Sequence, residues 1–543
     1  MSTLKAVKKR LRPIYRDDAG GDMASHKALD TILLILALLL SLLFVASITQ
    51  FIRGGDILFT FTQITTQIIY IIFAITIFMI ILILVLENSS PVHTLAWIMV
   101  LIFIPIVGFV FYLFFGRNWR KIKLFNRKEV QDADSLDELA QRYPLLSGNF
   151  LEHGLEHKLH RLLKKNSKAI LTIHNEIELI HDTAIAFAAI CDGISNARHH
   201  VHLEYFSIAA DSTGRYLKDL LIQKAKAGIE IRFIYDDVAC WKLPRGFKRE
   251  LREAGVQFIP FMPVWIPLLN SRMNYRNHRK LVVVDGIKAY LGGLNIGDQY
   301  LGKDPYYGYW RDSLAIFKGE SVLSLQAIFM ADWYFVSKER LFDPKRLDHY
   351  IATEEYRKIE NISPVQVVAS GPDTHHANIL QLYFSAIANA HHSIRINTPY
   401  LILNDALLMA LKTAAISGVK VQIILPFKAD HGIVFWGSRS YFQELLEVGV
   451  EIYEYMRGFM HAKILIVDEE ILGLGTANMD LRSFNHNFEL TALVYDDALV
   501  DKASDAFSED LAYSRKIHLA DFEKRGLIQR SKESICRLFS PLL

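Results

Sequence analysis

Long uninterrupted apolar runs open the chain and then stop. Three of them, Thr31 to Ile52, Ile68 to Leu86 and Thr94 to Phe115, each approach or reach the ~20 residues that cross a bilayer core as a helix. The pattern predicts a transmembrane or re-entrant helical block over 31–116, behind a segment at 1–30 and ahead of a charged linker at 117–150. From about Leu151 the pattern changes. Short β-branched runs alternate with amphipathic stretches that close on Gly228, Gly255, Gly418 and Gly449, the punctuation of α/β units. The expected fold class is therefore α/β, with sheets covered by helices.

The α/β region repeats itself. "NARHHVHLEYF" from Asn196 matches "NAHHSIRINTPY" from Asn389, and "LREAGVQFIPFM" from Leu251 matches "LLEVGVEIYEYM" from Leu445. Likewise "NHRKLVVVDGIKAYLGGLNIGD" from Asn277 matches "MHAKILIVDEEILGLGTANMD" from Met460. Matching blocks in one order imply a duplication, with lobes at 151–362 and 363–543 dividing near "NISPVQVVASGPD". The first copy alone inserts Pro263 to Arg276 before its histidine. That insert either meets the bilayer or lines substrate access, or is a surface loop packing Trp265 inward.

The whole chain is 51% hydrophobic and 22% charged over 543 residues, more apolar than two soluble domains require. Its net charge of +3 gives no argument for nucleic acid as a partner. Basic clusters at Lys5 to Arg16 and Arg117 to Lys128 flank the apolar block, which places both flanks on the cytoplasmic side. Three complete spans cannot do that. Either the third run, broken by Pro105 and Gly108, is re-entrant, or all three span and one basic flank lies outside. Cys191, Cys240 and Cys536 have neither ligand spacing nor the count of a disulfide scaffold, and are expected as reduced thiols.

Candidate chemistry sits in the last repeated block. On a strand His278 and Lys280 share a face, as do His461 and Lys463, whereas Asp285 and Asp468 fall on the other parity at the strand end. Each aspartate is expected to anchor the turn and neighbouring basic groups rather than touch its histidine. One His-x-Lys would be a weak signal, and a lone strand histidine is more often a satisfied core residue; two at equivalent places are strong. A buried His and Lys supplied twice make a cationic pocket that is costly unless an anion fills it. Phosphate fits: one histidine can attack phosphorus, the other can protonate the leaving alcohol, and the lysines offset oxygen charge. Asn295 and Asn478, on "GGLN" and "GTAN", are placed to donate further hydrogen bonds. No metal or cofactor is required.

Paired "HxKxxxxD" motifs followed by "GGLN" and "GTAN" resemble the phospholipase D superfamily, over both lobes. The resemblance implies two lobes face to face around one site, a phosphohistidine intermediate, and a carboxylate orienting each histidine. By position that carboxylate is Glu489 of "NHNFEL" for His461, and Asp312 of "YWRDS" is the nearest equivalent in the first copy. It also favours His278 as nucleophile and His461 as acid and base. The apolar block with "LAWIMVLIFIPIVGFVFYLFFGRN", "NYRNHRKLVVVDG", "FMADWYF" and "SGPD" is similar to bacterial cardiolipin synthases. That implies a multi-pass protein of the bacterial inner membrane with cytoplasmic lobes, joining two phosphatidylglycerols into cardiolipin with release of glycerol. The alternatives are a phospholipase D-type hydrolase or another phosphatidyl transferase, a tethered nuclease, and a non-catalytic membrane scaffold.

Overall fold

Two sheets that share one order of seven strands build the lobes, and the second is extended at its outer edge by one further short strand, Ser514–Lys516. The computed structural model describes residues 154–540 except 265–273, 343 and 375, together with helical residues 66–75, 78, 80, 82, 95 and 97–101. The basic segment, the first apolar run, most of the third, the linker and the centre of the insert lie outside the described residues. The chain divides into two compact units, Met1–Arg117 and Asn118–Leu543. In the first, Leu101 is buried against Ile75, Phe78, Ile80, Leu82 and Trp97. Among the described residues no helix is long and apolar enough to cross a membrane.

In the second unit the first lobe is built from β1 (Leu171–Asp182), β2 (His200–Tyr205), β3 (Glu230–Asp236), β4 (Gln257–Phe261), β5 (Arg276–Asn277), β6 (Leu281–Val284), β7 (Lys288–Gly292) and β8 (Tyr309–Gly319). The second continues with β9 (Ile362–Ser370), β10 (Ser393–Asn397), β11 (Leu401–Ile402), β12 (Lys420–Pro426), β13 (Glu451–Tyr455), β14 (Gly458–Met460), β15 (Ile464–Val467), β16 (Ile471–Gly475), β17 (Met479–Asp480), β18 (Asn487–Val494) and β19 (Ser514–Lys516). Pairing gives β4-β3-β2-β6-β7-β8-β1 in one sheet. The other reads β13-β12-β10-β15-β16-β18-β9. The strand orders superpose term by term, as the sequence repeat requires. β1 also pairs with β9, so the two sheets share an edge.

The central strands explain the apolar runs. "LVVV" of β6 and "ILIV" of β15 are buried at every position, because crossover helices cover sheets whose parallel strands need both faces closed. The helix Ser321–Ser337 is buried along most of its length. Its Val322, Leu325, Phe329 and Trp333 belong to one core with Ile464, Phe488 and Leu490 of the second lobe. Cys191 and Cys240 are buried free thiols, and Cys536 is a half-exposed one.

Candidate active site

Each histidine is delivered by its own lobe and held by the other. β5, which leads into His278, pairs in parallel with the start of β18, and His278 N donates to Phe488 O at 3.0 Å. Symmetrically, β14 leads into His461 and pairs in parallel with the start of β8, and His461 N donates to Arg311 O at 2.7 Å. The next residue on each receiving strand is the carboxylate. The histidines and lysines were expected within a strand. Instead His278 to Lys280 bridge the gap between β5 and β6, and His461 to Lys463 the gap between β14 and β15, because the chain leaves one lobe's ladder there before entering its own.

This register crosses the carboxylates. His278 Nδ1 donates to Glu489 Oε1 at 2.9 Å, and His461 Nδ1 donates to Asp312 Oδ2 at 2.7 Å. Glu489 therefore orients the first-lobe histidine, and Asp312 the second-lobe one, a correction to the pairing expected within each copy. Sequence position alone assigns a carboxylate to its own repeat; only the inter-lobe strand pairs reveal the exchange. An Nδ1–H committed to a carboxylate leaves Nε2 as the free base.

The lysines close the group. Lys280 Nζ donates to His278 O at 2.7 Å, and Lys463 Nζ lies 3.0 Å from His461 Nδ1 while donating to His461 O. Burial, helped by Lys280 and Lys463, holds His278 down to about 4. Burial and then Lys463 hold His461 down to about 4. Lys280 and Lys463 each act on the opposite histidine, so the two motifs meet in one site. Burial also lowers Lys463 to about 8 and Lys280 well below the usual lysine range. Glu489 and Asp312 stay below the ordinary carboxylate range although burial pushes them up, because the adjoining histidine, the lysine and the hydrogen bonds they accept outweigh it. A site that penalises its own cations gains from an anion, and a phosphodiester supplies one.

Asp285 and Asp468 stand outside this group, as anchors. Asp285 accepts from the backbone N–H of Arg198, His199 and His200 at 2.8 to 3.0 Å. Asp468 accepts from His391, His392 and Ser393 at 2.6 to 2.9 Å. They bind the main chain of these residues, five of them basic and the sixth Ser393. Both occupy left-handed backbone, at φ 55°, a conformation that aspartate tolerates. Asn295 Oδ1 accepts from Ser207 N at 3.3 Å, and Asn478 N donates to Ser483 Oγ at 3.3 Å.

Several supporting residues were not singled out in the sequence. Thr476, the second residue of "GTAN", donates to Glu489 Oε2 at 2.5 Å, and Asn487 Nδ2 donates to Oε1 at 3.3 Å. Two buried arginines clamp the carboxylate-bearing backbone. Arg279 Nε donates to Glu489 O at 3.4 Å and pairs with Asp332; Arg311 Nη1 donates to Asp312 O at 2.7 Å and pairs with Asp510 at 2.7 Å. Glu204 accepts from Asn277 Nδ2 and is pushed up to about 8 by burial and Asp332. A charge inside "AIFMADWYF", an otherwise apolar helix, was the available signal for Asp332. Phe206 and Trp310 wall the histidines, with ring centroids 4.7 Å from His278 and 5.1 Å from His461. Among the described residues no group of three or more His, Cys, Asp or Glu could hold a metal ion.

Comparison with known proteins bears on this arrangement. A family model described as "Cardiolipin synthase, PLD-like domain" matches twice, at residues 190–333 and 383–511, and "Phospholipase_D-nuclease N-terminal" matches residues 68–117. Cardiolipin synthase 2 of Bacillus anthracis is 43% identical over 471 residues, covering 87% of this chain and 91% of its own. The cardiolipin synthase of Alkalihalophilus pseudofirmus is 43% identical over 474 residues, covering 87% and 93%. The crystal structure of phosphatidylserine synthase from Haemophilus influenzae shares the fold, with a TM-score of 0.55 at 16% identity, covering 71% of this chain and all of that one.

Proposed function

We propose a mechanism from the premise that the chain belongs to the cardiolipin synthase family of phospholipase D-like proteins and is a phosphatidyltransferase. The neutral His278 Nε2 attacks the phosphorus of phosphatidylglycerol. His461 Nε2 takes up a proton as the anionic phosphodiester fills the pocket, since a nearby negative charge favours the imidazolium. The bond to glycerol breaks, His461 gives that proton to the departing glycerol oxygen, and a phosphatidyl-His278 remains. His461, now neutral, takes the proton from a hydroxyl of a second phosphatidylglycerol. That oxygen attacks phosphorus, the bond to His278 breaks, and cardiolipin leaves. One phosphodiester replaces another, so no nucleotide enters the balance.

One observation carries the reading: two histidines from duplicated lobes, each tied through Nδ1 to the other lobe's carboxylate. The carboxylates favour the imidazolium forming as each Nε2 bonds to phosphorus or takes a proton. Lys280 and Lys463 are placed to offset charge on the phosphorane oxygens. Burial of all four groups favours transfer to an alcohol over hydrolysis by limiting water. Assignment of nucleophile to His278 follows the family resemblance. The runs at 31–52, 68–86 and 94–115 support membrane anchorage, in a bacterial inner membrane with cytoplasmic lobes, where phosphatidylglycerol is met at high local concentration.

The test supplies the full chain, reconstituted in vesicles, with phosphatidylglycerol labelled at phosphorus. Cardiolipin and free glycerol in equal amounts are expected, and label trapped on His278 in His461→Ala. Phosphatidic acid as the main product would instead make the protein a hydrolase.

A further inference from the structure

The helix Leu527–Leu538 is docked the wrong way round for a soluble protein. Its charged side faces the lobe. Glu533 is buried, 2.7 Å from Arg525 and 3.8 Å from Arg439 of the helix Gly432–Arg439, and Arg537 pairs with Glu444 at 2.7 Å. Its apolar side faces out: Leu527, Ile528 and Leu538 are 81%, 77% and 79% exposed, with Ile535 and Phe539 exposed beside them. At about 100° per residue these five positions fall within one arc of roughly 120°. Scattered exposed leucines need no explanation, whereas a contiguous stripe on a fixed helix does.

The borders of the stripe say what covers it. Arg530 and Lys532 are exposed, Ser531 and Ser534 lie within the arc or at its edge, and the helix's one acidic residue, Glu533, is already paired inside. Apolar stripe, basic flank and no free carboxylate describe a helix that lies in the head-group region of an anionic bilayer. The stripe also leads toward the chemistry. Lys532 Nζ sits 5.2 Å over the Trp436 ring of the helix Gly432–Arg439, whose Ile433 is exposed. That helix starts just after Asp430, which accepts from Tyr400 and acts on Lys463.

We propose that the helix Leu527–Leu538 is an interfacial lipid-docking element of the second lobe. Leu527, Ile528, Ile535, Leu538 and Phe539 enter the acyl boundary, and Arg530 and Lys532 meet lipid phosphates. The docking stands whichever phosphodiester the site processes.

The test uses the full chain in nanodiscs containing phosphatidylglycerol, with an environment-sensitive fluorophore at Leu527→Cys or Leu538→Cys in a Cys536→Ser background. Asp501→Cys, on the exposed side of the helix Asp497–Ala512, is the control. Spin-labelled lipid is expected to quench both helix labels and not the control, and Arg530→Glu with Lys532→Glu is expected to weaken that quenching. Quenching no greater than at Asp501 overturns the proposal. So does a blue-shifted label that lipid does not quench, which would mean that protein covers the stripe. Unchanged thermal unfolding of the labelled variants separates either result from misfolding.

Discussion

His278 Nδ1 meets Glu489 at 2.9 Å across 211 residues of chain. The contact is produced by backbone pairing, since His278 N already donates to Phe488 O on the same strand. Orientation of the histidine and closure of the lobes are therefore one event. Neither lobe alone completes its own site.

The crossed pairing predicts which variants share an effect. Glu489→Gln removes the charge that stabilises the His278 imidazolium and is expected to lower kcat on the order of 10²- to 10⁴-fold. Combined with His278→Ala it should cost little more, because the pair acts as a unit. Pairing within each copy would give the opposite pattern, with Glu489→Gln silent only in a His461→Ala background. Rates for the single and double variants decide.

Lys463, buried and lowered to about 8, sets an alkaline limit. As pH rises through 8 the free enzyme loses this cation beside the phosphate position, and kcat/KM is expected to fall. In Lys463→Met the rate should drop on the order of 10²-fold and lose that limb. Wild type should approach the variant at high pH. An alkaline limb that persists in Lys463→Met would assign it to another group.

Acid should weaken the fold before carboxylates titrate. His181, His278 and His461 are held down to about 4 by burial and His200 to about 3, against an ordinary 6.5. Below 6.5 the unfolded chain takes up protons that the folded chain refuses, so stability is full above 6.5 and is lost as pH falls toward 4. Unfolding midpoints between pH 7 and 4.5 should decline. The decline should be shallower in a His278→Ala/His461→Ala double variant, and equal slopes would remove the two site histidines from the account.

The duplication made much of this legible in the sequence. Matching blocks gave the two lobes and their α/β character, and "HRK" with "HAK" located the cationic pair, because chemistry that needs two copies leaves a doubled trace. Asp285 and Asp468 do stand apart from the histidines as turn anchors, but strand parity is not the reason, because His278 and His461 lie between strands. The exchange of Glu489 and Asp312 left no such trace, because it depends on β5 and β14, strands of two and three residues that no periodicity marks. Arg279 and Arg311 were hidden for a similar reason: their aspartates lie on helices whose sequence distance carries no register.

The duplication is also unequal where it matters, at Gly293 and Thr476, which hold equivalent places in "GGLN" and "GTAN". Thr476 uses its hydroxyl to support the longer Glu489. Gly293 has no side chain, and a Cβ there would lie 2.2 Å from Asp312 Oδ1, a separation at which the carboxylate must move. Asp312 is held through Oδ1 by Ser313 N at 2.8 Å and through Oδ2 by His461 Nδ1 at 2.7 Å, so moving the carboxylate disturbs the contact with His461. Gly293→Ala is therefore expected to reproduce Asp312→Asn: kcat down on the order of 10²-fold or more, with substrate binding and unfolding midpoint changed far less. Thr476→Ala should instead leave His461 untouched and weaken the Glu489 side alone, read as additivity with Asp312→Asn and non-additivity with Glu489→Gln. Full activity in Gly293→Ala would show that Asp312 has room to shift without releasing His461, and the orienting role assigned to that carboxylate would fail.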